Sequence, residues 1–315
     1  MSDRPCNVLA ASSAGAVGTA VEAIRDGGLV GLPTETVYGL AGDALSDHAV
    51  GRIFTVKGRP VTHPLILHLA DASWLPEWAE KVTGAASLLA HECWPGPLTL
   101  LLGAAPHLSR TPLGGRDTAA FRVPAHETAR AVISAVARPV AAPSANRFGR
   151  VSPTTAAHVC ADLGTDVEVV LDGGPSVLGI ESTIIDVSGR SLQVLRHGAL
   201  PVEDLEAVLG QPIERATGSS RAPGMLVSHY APLCSVLLAD DADEARATHF
   251  EATARGVRSR ILPHHDVLSV YAATLYEELR KCDYDGIEAV IAVLPPAEGL
   301  GRAIRDRLEK AAAPR

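Results

Sequence analysis

The run PLILHL (64–69) sets Leu65, Leu67 and Leu69 on one face of an extended chain and His68 on the other. AAFRVP (119–124) repeats the arrangement, with Phe121 and Val123 opposed to Arg122. Each run reads as a strand with an apolar face and one polar group turned away from the presumed core. Outward from these two, the apolar runs LTLLLG (98–103), PVAAPS (139–144), VEVVLD (167–172), STIIDV (182–187) and LQVLR (192–196) alternate with helical stretches such as His48 to Lys57 and Glu127 to Ala137. That alternation predicts an α/β or α+β domain built on a sizeable mixed sheet. Ahead of it, Ser12 or Ser13 reads as the cap of an opening helix with Val17, Ala20, Val21 and Ile24 on one face and Gly27-Gly28 as its stop.

The 315 residues are 47% hydrophobic and 20% charged, which suits a packed globular chain and leaves room for two domains. Around 211–233 the periodicity stops, and QPIERATGSSRAPGMLVSHYAP (211–232) reads as a Pro/Gly-punctuated connection. Residues 1–210 are therefore expected to form one domain, 211–233 a linker, and 234–315 a small Rossmann-like open-sheet α/β domain. No apolar stretch approaches the roughly 20 residues of a membrane-spanning helix, and the N-terminus lacks a signal-peptide pattern, so a cytoplasmic location away from membranes is expected. Cys6, Cys93, Cys160, Cys234 and Cys282 form no CxxC pair and read as unpaired thiols, with no metal site. A net charge of −8 disfavours whole-surface attraction to nucleic acid.

Neither a GxxxxGK[ST] loop nor a GxGxxG fingerprint occurs, so any nucleotide site must be built another way. Lys57-Gly58-Arg59-Pro60 ends a helix and leaves two cations beside a turn, which suits polyphosphate, although an isolated pair of this kind is ordinarily a solvated helix end. On that placement, substitution of Lys57 or Arg59 is expected to leave folding intact. A single His or Arg on an outer strand face is likewise ordinarily solvated. ESTIIDV sets Thr183, Ile185 and Val187 against Ser182, Ile184 and Asp186, and PSAN (143–146) and FGRVSPT (148–154) supply hydroxyls and an amide where a strand hands over to a loop.

Taken together, PTETVYGL (33–40), KGRPVTHPLILH (57–68), WPGPLTLLL (94–102), FRVPAH (121–126), APSANRFGRVSPT (142–154), DGGPSVLGIESTIID (172–186) and VLRHG (194–198) resemble, in order and spacing, the threonylcarbamoyl-adenylate synthase family. APGMLVSHYAP (222–232) resembles the linker of its long, two-domain members. The resemblance implies a twisted, mostly antiparallel α/β sheet around a deep cationic cavity. It implies a nucleotidyltransferase that makes threonylcarbamoyl-AMP and pyrophosphate from L-threonine, bicarbonate or CO2, and ATP. The product would pass to a tRNA-modifying threonylcarbamoyl transferase for threonylcarbamoyladenosine synthesis, with direct tRNA binding left open.

By motif position, the resemblance assigns catalysis to Lys57, Arg59, Ser144 and Asn146. It assigns L-threonine to Thr36, His68, Arg122, Ala142 and Ser182, and ATP to Arg59, His63, Thr118, Ser144, Ser152, Arg196 and Tyr230. Cations would offset phosphate repulsion while Arg122 clamps the amino-acid carboxylate. Mg²⁺ is expected to arrive with ATP, and Asp172, Glu181 and Asp186 read as structural rather than as its ligands. The linker would close over the labile product as a lid. Three departures stand out: His63 replaces the usual Asn, LVS precedes the linker histidine, and the C-terminal domain is short. The competing readings are a double-stranded-RNA module, disfavoured by the acidic charge, and a carbamoyl-transfer module sharing the sheet domain.

Overall fold

Among the described residues, eleven strands pair edge to edge in the order Val8–Ala10, Val169–Asp172, Val30–Leu32, Gly39–Asp43, Val140–Ala141, Ile66–His68, Thr118–Arg122, Leu98–Gly103, Thr183–Asp186, Gln193–Arg196 and Glu214–Arg215. This computed structural model describes residues 6–189, 191–216 and 230–314. The α/β class holds, but five of the ten pairings are parallel and five antiparallel, so the sheet is evenly mixed rather than mostly antiparallel. The pairing of Ile66–His68 with Thr118–Arg122 is one of the parallel ones, and it sets His68 directly beside Arg122.

One face of the sheet packs Leu65, Leu67, Leu69, Leu100, Phe121, Val123 and Ile185 into the largest apolar core, as the alternation predicted. Along the central strands the other face is not solvated either. Ile66, Leu101, Ala120, Ile184 and Leu195 form an apolar patch there, and His68 and Arg122 are buried among the same strands. Strands covered on both faces leave no outer surface for a polar side chain to reach water.

The helices follow local rules. Ser46 caps Asp47–Lys57 by accepting from the Ala49 N–H, and Gly58 ends it in the left-handed region at φ 63°. The opening helix, Ala16–Arg25, is preceded by Gly15 at φ 83° with no side-chain cap, so Ser12 and Ser13 do not cap it. Ser13 instead turns back to the Ala10 carbonyl. Cys6 and Cys160 are disulfide-bonded with Cα atoms 5.7 Å apart, which corrects the unpaired-thiol reading. Their separation of 154 residues gave no local signal, and the pairing of Val8–Ala10 with Val169–Asp172 is part of what brings them together.

A second, parallel sheet orders Ser235–Ala239, Ala289–Val293 and Ser259–Ile261, with helices Ala242–Ala254, Leu268–Tyr284 and Leu300–Ala312 against it. No helix among the described residues is long and apolar enough to cross a membrane. The two units share an apolar cluster in which Val37, Val151 and Ile180 meet Tyr230, Tyr271, Tyr276 and Leu279. Around it, Arg280 pairs with Asp162 at 2.7 Å and donates to the Val151 carbonyl at 2.5 Å. His158 meets Glu277 at 3.0 Å and Arg302 meets Glu203 at 2.5 Å.

Gly179 marks a close approach of the two units. Its φ is +70°, and an added Cβ would lie 2.5 Å from the Ala273 Cα on helix Leu268–Tyr284. Gly179→Ala should therefore combine backbone strain with a backbone clash and destabilise the chain by roughly 1–3 kcal/mol. Chemical denaturation checks this, and a midpoint equal to that of the unsubstituted protein would contradict it.

Candidate active site

The loops at the ends of the central strands surround a cavity with about 580 Å³ of unfilled space, its open mouth included. Arg122, at the end of its strand, is 4% exposed. Its Nε donates to the Gly96 carbonyl at 3.1 Å, Nη1 to Thr36 Oγ1 at 2.8 Å, and Nη2 to Glu35 Oε1 at 2.6 Å. Burial pushes the Glu35 carboxyl up, but Arg122 and backbone N–H groups outweigh it and hold the group below the usual carboxylate range. A guanidinium has five N–H donors, so these three acceptors leave two available to a ligand.

His68 is also buried, and its Nδ1 has no hydrogen-bond partner among the described residues. Burial, reinforced by Arg122, lowers its pKa to about 3. It faces the cavity as a neutral ring. Ser182 Oγ lies 2.7 Å from Thr99 Oγ1 and accepts from Arg196 Nη2 at 3.0 Å, while Arg196 Nε donates to the Ser182 carbonyl. The strand carrying Arg122 and the strand carrying Arg196 stand three spacings apart in the sheet, roughly 14 Å on a flat sheet. Two guanidinium groups therefore serve different parts of one cavity.

Arg59 supplies a third. It donates to the His63 and Pro64 carbonyls at 3.2 and 2.9 Å and stands 5.7 Å from the Phe148 ring centroid. Burial lowers its pKa to about 10, so it stays charged at neutral pH. All five positions assigned to threonine line this cavity: Thr36, His68, Arg122, Ala142 and Ser182. So do Arg59, Ser144, Arg196 and Tyr230.

The remaining assigned residues lie outside the lining. Lys57 is 2% exposed, which corrects its placement at an exposed helix end. Its Nζ donates to the Ser144 and Asn146 carbonyls at 2.5 and 2.6 Å, so it fastens the PSAN loop from behind. Burial, then the charge of Arg59, takes its pKa well below the ordinary lysine value. Asn146 donates to the Arg147 and Arg150 carbonyls. Arg59 is buried as well, at 8% exposure, so neither cation of the KGR turn is a solvated one. His63 sits against Phe148, ring centroids 5.5 Å apart, and burial followed by Arg59 and Arg116 lowers its pKa. Thr118 is on the Arg122 face of the same strand, one strand end away. Ser152 is fully buried and donates to Glu181 Oε1 at 2.6 Å.

The carboxylates near the cavity have protein partners. Asp172 accepts from Gly174 N, Asp186 from Ser188, and Glu181 from Ser152, Tyr276 and Arg307. No group of three potential ligands occurs among the described residues. The proposed lid falls largely on 217–229, outside the described residues. Sequence reasoning missed Glu35, which lies inside PTETVYGL beside Thr36, and it missed Tyr276 and Arg307. An arginine inside the apolar stripe Ala303, Ile304, Leu308, Ala311 was the available signal for the last.

The family model described as Telomere recombination matches residues 22–198, and that described as Threonylcarbamoyl-AMP synthase, C-terminal domain, matches residues 200–313. A threonylcarbamoyl-AMP synthase of Pyrococcus abyssi is 39% identical over 310 residues, 91% of this chain and 91% of that one. One of Bacillus subtilis is 37% identical over 94% of this chain and 92% of its own. The crystal structure of P. abyssi Sua5 complexed with L-threonine superimposes with a TM-score of 0.89 at 37% identity, covering 94% of each chain. With both its sheet unit and its C-terminal unit matched, the chain belongs to the threonylcarbamoyl-AMP synthase family of enzymes, in its two-domain form.

Proposed function

We propose that the chain joins L-threonine, bicarbonate or CO2, and ATP into threonylcarbamoyl-AMP with release of pyrophosphate, for use by a tRNA-modifying threonylcarbamoyl transferase. The observation that carries this reading is the buried Arg122 guanidinium, with two donors left over, next to the unpartnered Nδ1 of neutral His68. A carboxylate fits the first and a hydroxyl or amine donor fits the second. Threonine carries both.

Bicarbonate supplies CO2 by taking up a proton and losing water; the neutral threonine amine adds to the CO2 carbon as a C=O π bond opens, and the amine proton passes to solvent, giving a carbamate. The carbamate oxygen then attacks the α-phosphorus in line, the bond to the β-phosphate oxygen breaks, and pyrophosphate leaves. Two anions have to meet, so Arg59 and Arg196 offset their repulsion and the charge that grows on the leaving group. With a pKa near 3, His68 accepts a hydrogen bond and does not act as the base for the amine. Lys57 acts through Ser144 and Asn146, whose carbonyls it holds. Mg²⁺ would enter as the magnesium complex of ATP, since Asp172, Glu181 and Asp186 are engaged elsewhere. The division into a catalytic domain at 1–210, a linker at 211–233 and a small domain at 234–315 belongs to the same proposal.

Pyrophosphate release measured with ATP while threonine or bicarbonate is omitted in turn tests the reading. Release is expected only when all three are present, and release without threonine would sink it. Arg122→Ala should raise the KM for threonine at least about tenfold and that for ATP much less, since the carboxylate clamp touches only the amino acid. A larger rise for ATP would reassign Arg122 to phosphate. Lys57→Met should both lower stability, by roughly 2–4 kcal/mol through two stranded carbonyls, and cut turnover. Full stability with lost turnover would make Lys57 a reacting group after all.

His63 adds a pH test. Its free-state pKa lies below the ordinary value of about 6.5. Contact with triphosphate favours the protonated ring, so ATP should bind more tightly below the free-state pKa, with the gain lost as pH rises through the bound-state value. His63→Asn should flatten that dependence in titration calorimetry. Equal slopes in the two proteins would remove His63 from the ATP site.

A further inference from the structure

Helix Leu300–Ala312 belongs to the C-terminal unit, yet it presents a charged side chain to the cavity wall. Arg307 is 1% exposed. Its Nε donates to Glu181 Oε2 at 2.8 Å, and its guanidinium carbon stands 4.9 Å from the centroid of the Tyr230 ring. The Tyr230 ring stacks on Tyr276, centroids 5.9 Å apart, and the Tyr276 hydroxyl donates to the same Glu181 oxygen at 2.8 Å. Glu181 and Tyr230 line the cavity, whereas Arg307 and Tyr276 stand behind them. Asp306 also meets Arg307, at 2.5 Å, and is bridged in turn to Lys310 at 2.7 Å.

Stability alone does not account for this cluster. A buried ion pair commonly stabilises no better than apolar side chains of similar volume. Arg307 Nη2 is moreover buried without a hydrogen-bond partner among the described residues. Electrostatics gives a better account. Burial pushes the Glu181 carboxyl up, but Arg307, then Arg196, and hydrogen bonds from Ser152 and Arg307 hold its pKa near 2, so a full negative charge stands in the cavity wall at neutral pH. That charge would repel a polyphosphate unless a cation faces it.

We propose that Arg307 is a positioning residue for the nucleotide: it neutralises and orients Glu181 and backs the Tyr230 ring, so that the C-terminal unit completes the cavity without touching the substrates. This rests on the reaction proposed above. It gives the C-terminal unit a defined part in that reaction, namely cancelling a carboxylate that would otherwise exclude ATP.

The test is a kinetic split on the full chain, using pyrophosphate release and melting temperature together. Arg307→Met is expected to raise the KM for ATP about tenfold or more while that for threonine changes less than about twofold. Arg307→Lys, which keeps the charge, is expected to return the KM for ATP to within about threefold of the unsubstituted value. Arg302→Ala removes the Glu203 contact from the same helix away from the cavity, and should leave both KM values unchanged. A merely structural Arg307 would lower the active fraction and the melting temperature with both KM values unmoved, and that result overturns the inference, as does an equal rise for both substrates.

If Arg307→Met does not fold, Glu181→Gln with Arg307 kept decides. Removing the carboxylate should hold or lower the KM for ATP, and a rise would overturn the proposal. An unsubstituted chain that releases no pyrophosphate removes the reaction and the inference together, whereas active variants with unchanged KM values for ATP remove the inference alone.

Discussion

Four guanidinium groups, those of Arg59, Arg122, Arg196 and Arg307, are buried around one cavity, while the buried carboxylates beside them are Glu35 and Glu181. Burying charge without compensation is costly, and the surrounding structure reads as the means of bearing that cost. Backbone carbonyls do much of it: Gly96 for Arg122, His63 and Pro64 for Arg59, Ser182 for Arg196. Each carbonyl lies on a loop or turn beside a strand, where the sheet ladder no longer claims it. Glu35 and Glu181 then remove part of the net charge and leave the rest for anions to satisfy.

This constraint also explains why the central strands have no solvated face. A guanidinium on an ordinary outer strand face would be solvated and weak toward a ligand, as charges in water interact through a high dielectric. Packing Val37, Val151 and Ile180 against Tyr230, Tyr271 and Tyr276 excludes water from that side and strengthens each interaction within it. Docking of the C-terminal unit and polarity of the cavity are thus one property. Gly179, pressed against the Ala273 backbone, belongs to the electrostatics as much as to the packing.

Much of this was legible in the sequence. Period-two alternation put His68 and Arg122 on a common kind of face, and the motifs in order identified the family and nine of the residues that line the cavity. Three things were not legible, each for a physical reason. Parallel and antiparallel neighbours have the same alternation, so the even mixture of pairings was hidden. Burial of Lys57 depends on the PSAN loop folding over it from 87 residues away, which local amphipathicity cannot report. The Cys6–Cys160 bond and the Arg307–Glu181 pair likewise join distant segments, 154 and 126 residues apart.

The cavity carries positive charge in want of anions, and thermal unfolding with added ligands reads that charge out. Ligands that bind only the folded chain raise its stability, by about 2.7 kcal/mol at a hundredfold excess over Kd. Melting the protein with pyrophosphate, with ATP and with adenosine at equal concentration separates phosphate from base recognition. Pyrophosphate and ATP should each raise the melting temperature, adenosine should not, and added salt should shrink the gain. A rise with adenosine equal to that with ATP, or none with either phosphate compound, would contradict the account.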